Sequence, residues 1–182
     1  MRPAFARLGA EVIGIHRAHD PVQAVREAQA IVVGGGNTWN LLREMRGHRL
    51  LPAIRQRVLS GVPYIGWSAG TNVACPTIMT TNDMPICDPG GFDALALVPF
   101  QINPHYLHGN PEGFKGETRE ERIREFGVLH PSVWVAGLRE GTGFLIEDRS
   151  IRLLGDAQCR IFRGSQEPRE LTSDDDFTFL HD

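Results

Sequence analysis

The sequence predicts a single α/β domain over residues 1–182, with a mainly parallel sheet flanked by helices and short antiparallel strands at its C-terminal end. Short apolar runs alternate with helical patterns between residues 11 and 66, which argues for parallel strands joined by crossover helices. Two of these runs pass directly into glycine-rich turns, Gly34-Gly35-Gly36-Asn37-Thr38 and Gly66-Trp67-Ser68-Ala69-Gly70. Such turns mark places where a strand ends and a helix begins. From residue 144 onward, three β-rich runs are separated by turns such as Glu147-Asp148-Arg149, the pattern of antiparallel pairing.

Taken in order, Pro3 to Leu8 reads as the end of a helix closed by Gly9, and Glu11 to His16 as a strand. Asp20 and Pro21 supply a cap and a first helical residue, and Val22, Val25 and Ala28 recur at helical spacing up to Ala30. Ile31 to Val33 is a buried strand. Helices follow over residues 38–46 and 51–59, and Gly61 releases the chain into a strand ending at Gly66. Thr71 to Ala74 starts a helix that Pro76 stops. Thr77 to Thr81 is β-rich, and Leu95 to Ile102 reads as a strand despite Pro99. Residues 107–116 lack periodicity and form a loop. Thr118 and Glu121 have capping-box spacing ahead of a helix carrying Ile123 and Phe126. Val133 to Leu138, Phe144 to Ile146, Ile151 to Leu154 and Cys159 to Phe162 complete the strands. Asp174-Asp175-Asp176 opens a loosely held tail over 172–182.

Composition narrows the function. With 41% apolar residues the chain can fill one core. The net charge of −3 and the mixing of Arg119, Arg122 and Arg124 with Glu117, Glu120, Glu121 and Glu125 argue against a nucleic-acid surface. The three cysteines have no CxxC or Cys/His spacing, so neither metal nor disulfide is expected. No apolar run is long enough to span a membrane, and a cytoplasmic location with reduced thiols is the expectation.

The Gly66 to Gly70 stretch has the G-x-S-x-G form of a nucleophile elbow, which lifts the Ser68 hydroxyl clear of the sheet. Acyl transfer by serine also needs a base, an acid that orients the base, and N–H donors for the developing oxyanion. His105 follows a strand and is the candidate base, with His108 its nearest competitor. Asp83 and Glu140 are both candidates for the orienting acid. The N–H of Ala69 and that of Gly35 or Gly36 are the oxyanion donors. The glycine turn at 34–36 is neither G-x-G-x-x-G nor a P-loop, so a nucleotide cofactor is not expected.

Several stretches carry a resemblance to a known family. They are Val33 to Thr38, Tyr64 to Gly70, Ala74 to Ile78, Thr80 to Pro85, Phe92 to Leu95, Gln101 to His105 and Lys115 to Glu120. In this order they resemble the peptidase E family, serine peptidases that act on α-aspartyl dipeptides and whose fold is related to the flavodoxin-like class I glutamine amidotransferases. The resemblance implies Ser68 as nucleophile and His105 as base, with Asp83 or Glu140 completing the relay. It implies hydrolysis of small Asp-X dipeptides without a metal or other cofactor, and leaves the oligomeric state, monomer or homodimer, open. Arg119, in the Gly-Glu-Thr-Arg-Glu run, is the candidate partner of the substrate carboxylate, and Asn37 is a second substrate-binding candidate. Two alternatives stay open: a cyanophycinase-like peptidase cutting β-aspartyl bonds, or an inactive binding module. Family members begin with a further strand, helix and strand before the position of Met1, so the chain is expected to be truncated.

Overall fold

In a computed structural model, which describes every residue except Met1, Pro111 and Phe114, β1 (Ile31–Val33) and β2 (Tyr64–Gly66) pair in parallel, with Val33 opposite Gly66. Between them run α3 (Thr38–Gly47) and α4 (Leu50–Leu59). Ahead of β1 lie α1 (Arg2–Ala6) and α2 (Pro21–Glu27). The Asp20 side chain accepts the Gln23 N–H at 3.0 Å, as the Asp-Pro signal predicts. Leu42, Met45, Ala53 and Ile54 bury one face of α3 and α4 against Ile31 and Val33.

A second parallel pair, β3 (Gln101–Pro104) and β4 (Trp134–Leu138), flanks α6 (Arg119–Leu129) in sequence and sets Pro104 opposite Leu138. The predicted capping box is formed at Thr118, whose hydroxyl accepts the Glu121 N–H at 3.1 Å. β7 (Cys159–Arg163) and β8 (Arg169–Leu171) extend this sheet antiparallel in the order β3-β4-β7-β8. β5 (Gly143–Glu147) and β6 (Ser150–Leu154) form a separate hairpin. The two halves meet through α5 (Ala69–Ala74), which packs on β1, β2, α3 and β3.

Four expectations need correction. Residues 11–16 are not a strand: only a 3-10 turn forms, at Ile15–Arg17, and Ile13 is exposed. A strand requires a neighbour to ladder with, and among the described residues this segment has none. The run from Leu95 becomes strand only at Gln101, because the N–H groups of Ala94, Leu95, Ala96 and Leu97 donate to carbonyls of residues 73–76 at the end of α5. Residues 77–81 make one isolated bridge, Thr77 to Asp93, in place of a strand. The 107–116 loop is irregular as expected, though Pro111 and Phe114 within it lie outside the described residues.

The fourth correction is the tail, which is anchored. Asp175 accepts from the N–H and hydroxyl of Thr172, and Asp176 from those of Thr178. The acidic run therefore closes turns that carry Phe177 and Leu180 into the core. The Phe177 ring sits 5.2 Å from that of Phe144. Phe177→Ala should lower the unfolding free energy by about 3–5 kcal/mol, read as a reduced urea midpoint at unchanged slope.

Candidate active site

The register of β1 and β2 decides which residue lies beside Ser68. Two residues beyond the Val33–Gly66 pair come Gly35 and Ser68, and a Cβ built on Gly35 would lie 3.1 Å from Ser68 Cβ and 3.4 Å from its Oγ. Ser68 has φ 55° and ψ −117°, a backbone state costing a non-glycine residue about 1–3 kcal/mol. Its surroundings hold it there. The Tyr64 hydroxyl donates to Gly70 O at 2.6 Å, and the Thr71 and Asn72 N–H groups donate to Ser68 O at 2.9 and 3.1 Å. Gly70 presses on the neighbouring strand so closely that a Cβ there would meet Val33 O at 2.0 Å. Ala69 is the first helical residue, so its N–H has no partner within α5.

The register of β3 and β4 sets His105 one residue beyond Pro104 and Glu140 two residues beyond its partner Leu138. The ladder continues past it, Tyr106 N–H donating to Leu138 O at 2.8 Å, while His105 itself takes φ 56° at the strand end. Its Nδ1 is hydrogen-bonded to Glu140 Oε1. A carboxylate only accepts, so Nδ1 carries a proton, and in the neutral ring the lone pair is then on Nε2. The pair is open to solvent, with side-chain exposures of 45% for His105 and 75% for Glu140.

Asp83 lies elsewhere. Its Oδ2 accepts from the N–H of Thr38 at 2.7 Å and the Thr38 hydroxyl at 2.5 Å, and its carbonyl accepts from Trp39 Nε1 at 3.0 Å. It thus places negative charge at the N-terminus of α3, directly after the glycine turn. Asn37 is engaged at the same place: its Oδ1 caps α3 through the Asn40 N–H at 3.1 Å, and its Nδ2 donates to Met84 O at 2.9 Å.

Residues 75–83 tie the two strand pairs together. Thr81 Oγ1 donates to Thr38 Oγ1 at 3.0 Å beside the glycine turn. Asn82 Nδ2 donates to Pro104 O at 2.9 Å, next to His105, and Asn103 Nδ2 donates to Thr80 O at 2.8 Å. Buried Cys75 accepts the Ile102 N–H at 3.2 Å, and burial pushes its thiol up to about 12. It remains protonated and acts as a strut between α5 and β3.

Arg119 opens α6 and is half-buried, with Nη1 buried and unpartnered among the described residues. Burial and the charge of Arg122 lower its basicity, while Glu140 opposes them. A guanidinium with an unused buried donor, within the field of Glu140, can receive a carboxylate in two-pronged fashion. His108 is turned toward Glu120, Nδ1 to Oε2 at 3.5 Å.

A set of charges gathers around Tyr106 and Arg139, the chain neighbours of His105 and Glu140. Tyr106 is fully buried and donates to Glu120 Oε2 at 3.1 Å. Arg139 donates to both oxygens of Glu170 at 2.7 Å and to Gln158 O at 2.6 Å. Arg160 joins Glu120, at 3.0 Å, to Glu170, at 3.1 Å. The one signal in the sequence is adjacency, since Tyr106 follows His105 and Arg139 precedes Glu140. Among the described residues no group of three or more His, Cys, Asp or Glu could hold a metal, and no helix is long and apolar enough to cross a membrane.

Residues 1–154 match the profile of peptidase family S51. The chain is similar to peptidase E of Nostoc sp., 48% identical over 99% of this chain and 74% of that protein. It is also similar to peptidase E of Salmonella typhimurium, 53% identical over 90% of this chain and 71% of that protein. The fold resembles the crystal structure of a peptidase from an acI-B1 Actinobacterium, with a TM-score of 0.67 at 20% identity, over 96% of this chain and 72% of that one.

The half-buried carboxylates Glu170 and Glu120 make stability depend on pH. Hydrogen bonds from Arg139, and then Arg160, hold the Glu170 carboxyl below its ordinary 4.5. Burial pushes Glu120 up, but hydrogen bonds from Arg160, Arg124 and Tyr106 outweigh it and leave it lowered too. A depressed native value means stability that is present above 4.5 and lost as the pH falls through that value. The urea midpoint should therefore drop between about pH 5 and pH 3, and Glu170→Gln should flatten part of that slope.

Proposed function

The chain belongs to peptidase family S51, and on that premise we propose that it is a serine-type peptidase that hydrolyses dipeptides of the form Asp-X. The observation that carries this reading is the strained backbone of Ser68, φ 55° at the end of β2, because such strain in a non-glycine residue persists where its surroundings enforce a functional geometry.

Ser68 Oγ attacks the peptide carbonyl while His105 Nε2 takes its proton, and Glu140 holds the ring through Nδ1–H and stabilises the imidazolium. The Ala69 N–H and that of Gly35 or Gly36 stabilise the tetrahedral oxyanion. His105 then returns the proton to the leaving amine, the C–N bond breaks, and residue X departs from an aspartyl-Ser68 ester. Water, deprotonated by His105, attacks the ester and releases aspartate. Arg119 receives the side-chain carboxylate of the substrate. Asp83 and Asn37 serve this chemistry indirectly, by holding the glycine turn against α3. The choice of Glu140 over Asp83 as orienting acid is supported by the contact at Nδ1.

Purified protein should release leucine from α-Asp-Leu, and Ser68→Ala should abolish this with an unchanged melting temperature. Preference for β-Asp-Arg over α-Asp-Arg would instead favour the β-aspartyl reading. Arg119→Gln should lower kcat/KM for Asp-Leu by roughly ten- to a hundredfold, the loss expected for a charge-assisted hydrogen bond. Its effect on Ala-Leu should be small.

A further inference from the structure

The two backbone segments that deliver His105 and Glu140 are fixed by one continuous set of charges. After β4, Arg139 spends both Nη groups on Glu170, at 2.7 Å each, and lies over the Tyr106 ring with its central carbon 5.4 Å from the centroid. After β3, Tyr106 is held by Glu120, and Gly137 of β4 packs against its ring so tightly that a Cβ there would lie 2.7 Å away. Arg160 on β7 bridges Glu120 and Glu170, and its side chain and that of Glu120 are each 16% exposed. Two cations and two anions thus compensate one another, with Arg124 and His108 also facing Glu120.

We propose that Glu170 is a positioning residue for the His105–Glu140 pair, acting through Arg139 and, by way of Arg160 and Glu120, through Tyr106. The proposal rests on the reading of His105 and Glu140 as base and orienting acid. Glu170 acts in two ways. Its two-pronged bond fixes the rotamer of Arg139 and so the direction in which the next residue, Glu140, leaves the strand. It also occupies a guanidinium whose chain neighbour, Glu140, is an exposed carboxylate. Without Glu170, Arg139 competes with His105 for Glu140, the imidazole loses the acceptor at Nδ1, and Nε2 is no longer reserved as the lone pair that the base of the proposed mechanism needs. Both β7 and β8 lie beyond the residues 1–154 matched by the family profile, which places this support in the C-terminal strands.

The test combines kinetics on Asp-Leu with nitrogen NMR of protein labelled with 15N-histidine, at a pH where the rings are neutral. In the parent, His105 should give the Nδ1–H tautomer signature, and Glu140→Gln should abolish it and identify the resonance. Glu170→Gln should shift His105 toward the Nε2–H form and lower kcat by roughly ten- to a hundredfold, the scale of a misplaced catalytic group, with KM little changed. Glu170→Asp should recover part of both. Arg139→Lys, which keeps the cation and loses the fork, should shift the tautomer in the same way and gives the same readout should Glu170→Gln fail to fold. Unchanged tautomer and kcat in a folded variant overturn the proposal while leaving the dipeptidase reading intact. A tautomer that responds to Glu170 in a protein inactive on every Asp-X dipeptide supports the positioning role and overturns the substrate assignment.

Discussion

The site depends on parallel register. In β1–β2 and in β3–β4 the last strand residues are paired one to one, Val33 with Gly66 and Pro104 with Leu138. A parallel pair releases both chains at the same end, so the turn leaving one strand is set beside the turn leaving its partner. That brings Gly35 to Ser68 and His105 to Glu140. A slip of one residue in either pair would turn every side chain to the opposite face and separate these partners.

Register alone would leave two unconnected pairs, because no ladder joins β2 to β3 among the described residues. Side chains make the connection. The Cys75 thiol, Thr81, Asn82 and Asn103 replace a ladder with hydrogen bonds to Ile102, Thr38, Pro104 and Thr80. Leaving the buried groups of Cys75 and Asn103 unpaired would cost about 1–3 kcal/mol each, and the half-buried Thr81 and Asn82 add further restraint on where the strand ends can sit. Asp83 belongs to this connection. Its carboxylate is spent on the N-terminus of α3, which stabilises the glycine turn from behind.

The His105–Glu140 contact is exposed, and exposed pairs are worth little, about 0–1 kcal/mol even when both partners are charged. Its geometry must come from the backbone beneath it. The enclosed charges of Glu120, Arg139, Arg160 and Glu170, with the buried Tyr106 ring, provide that rigidity. Taking one partner from such a set leaves a poorly hydrated charge behind, which is why it defines one arrangement more firmly than an exposed pair could.

Much of the fold is legible in the chain itself, because it is local. The Asp20, Thr118 and glycine-turn signals each concern a few consecutive residues, and the helices and β1, β2 and β4 form where those signals put them. The elbow at Ser68 belongs with them, since G-x-S-x-G states its own backbone requirement. Segments whose partners are distant in sequence depart from their local signals. Residues 95–97 look extended but bond to the end of α5, residues 11–16 have strand-like composition without a neighbour, and the acidic tail carries Phe177 into the core. Composition says that a residue can pair, whereas only the fold says with which partner. The same division runs through the site. Residue types and strand ends point to Ser68, His105 and two possible acids, and nothing in their spacing can choose between Asp83 and Glu140, because both follow plausible turns. In the tertiary structure the carboxylate of Asp83 meets a helix N-terminus and that of Glu140 an imidazole. Sequence by itself determined which chemical groups are available and which local turns present them. Their assembly required hydrogen bonds between residues as much as 47 positions apart, and bonds of that range are settled only when the whole chain has packed.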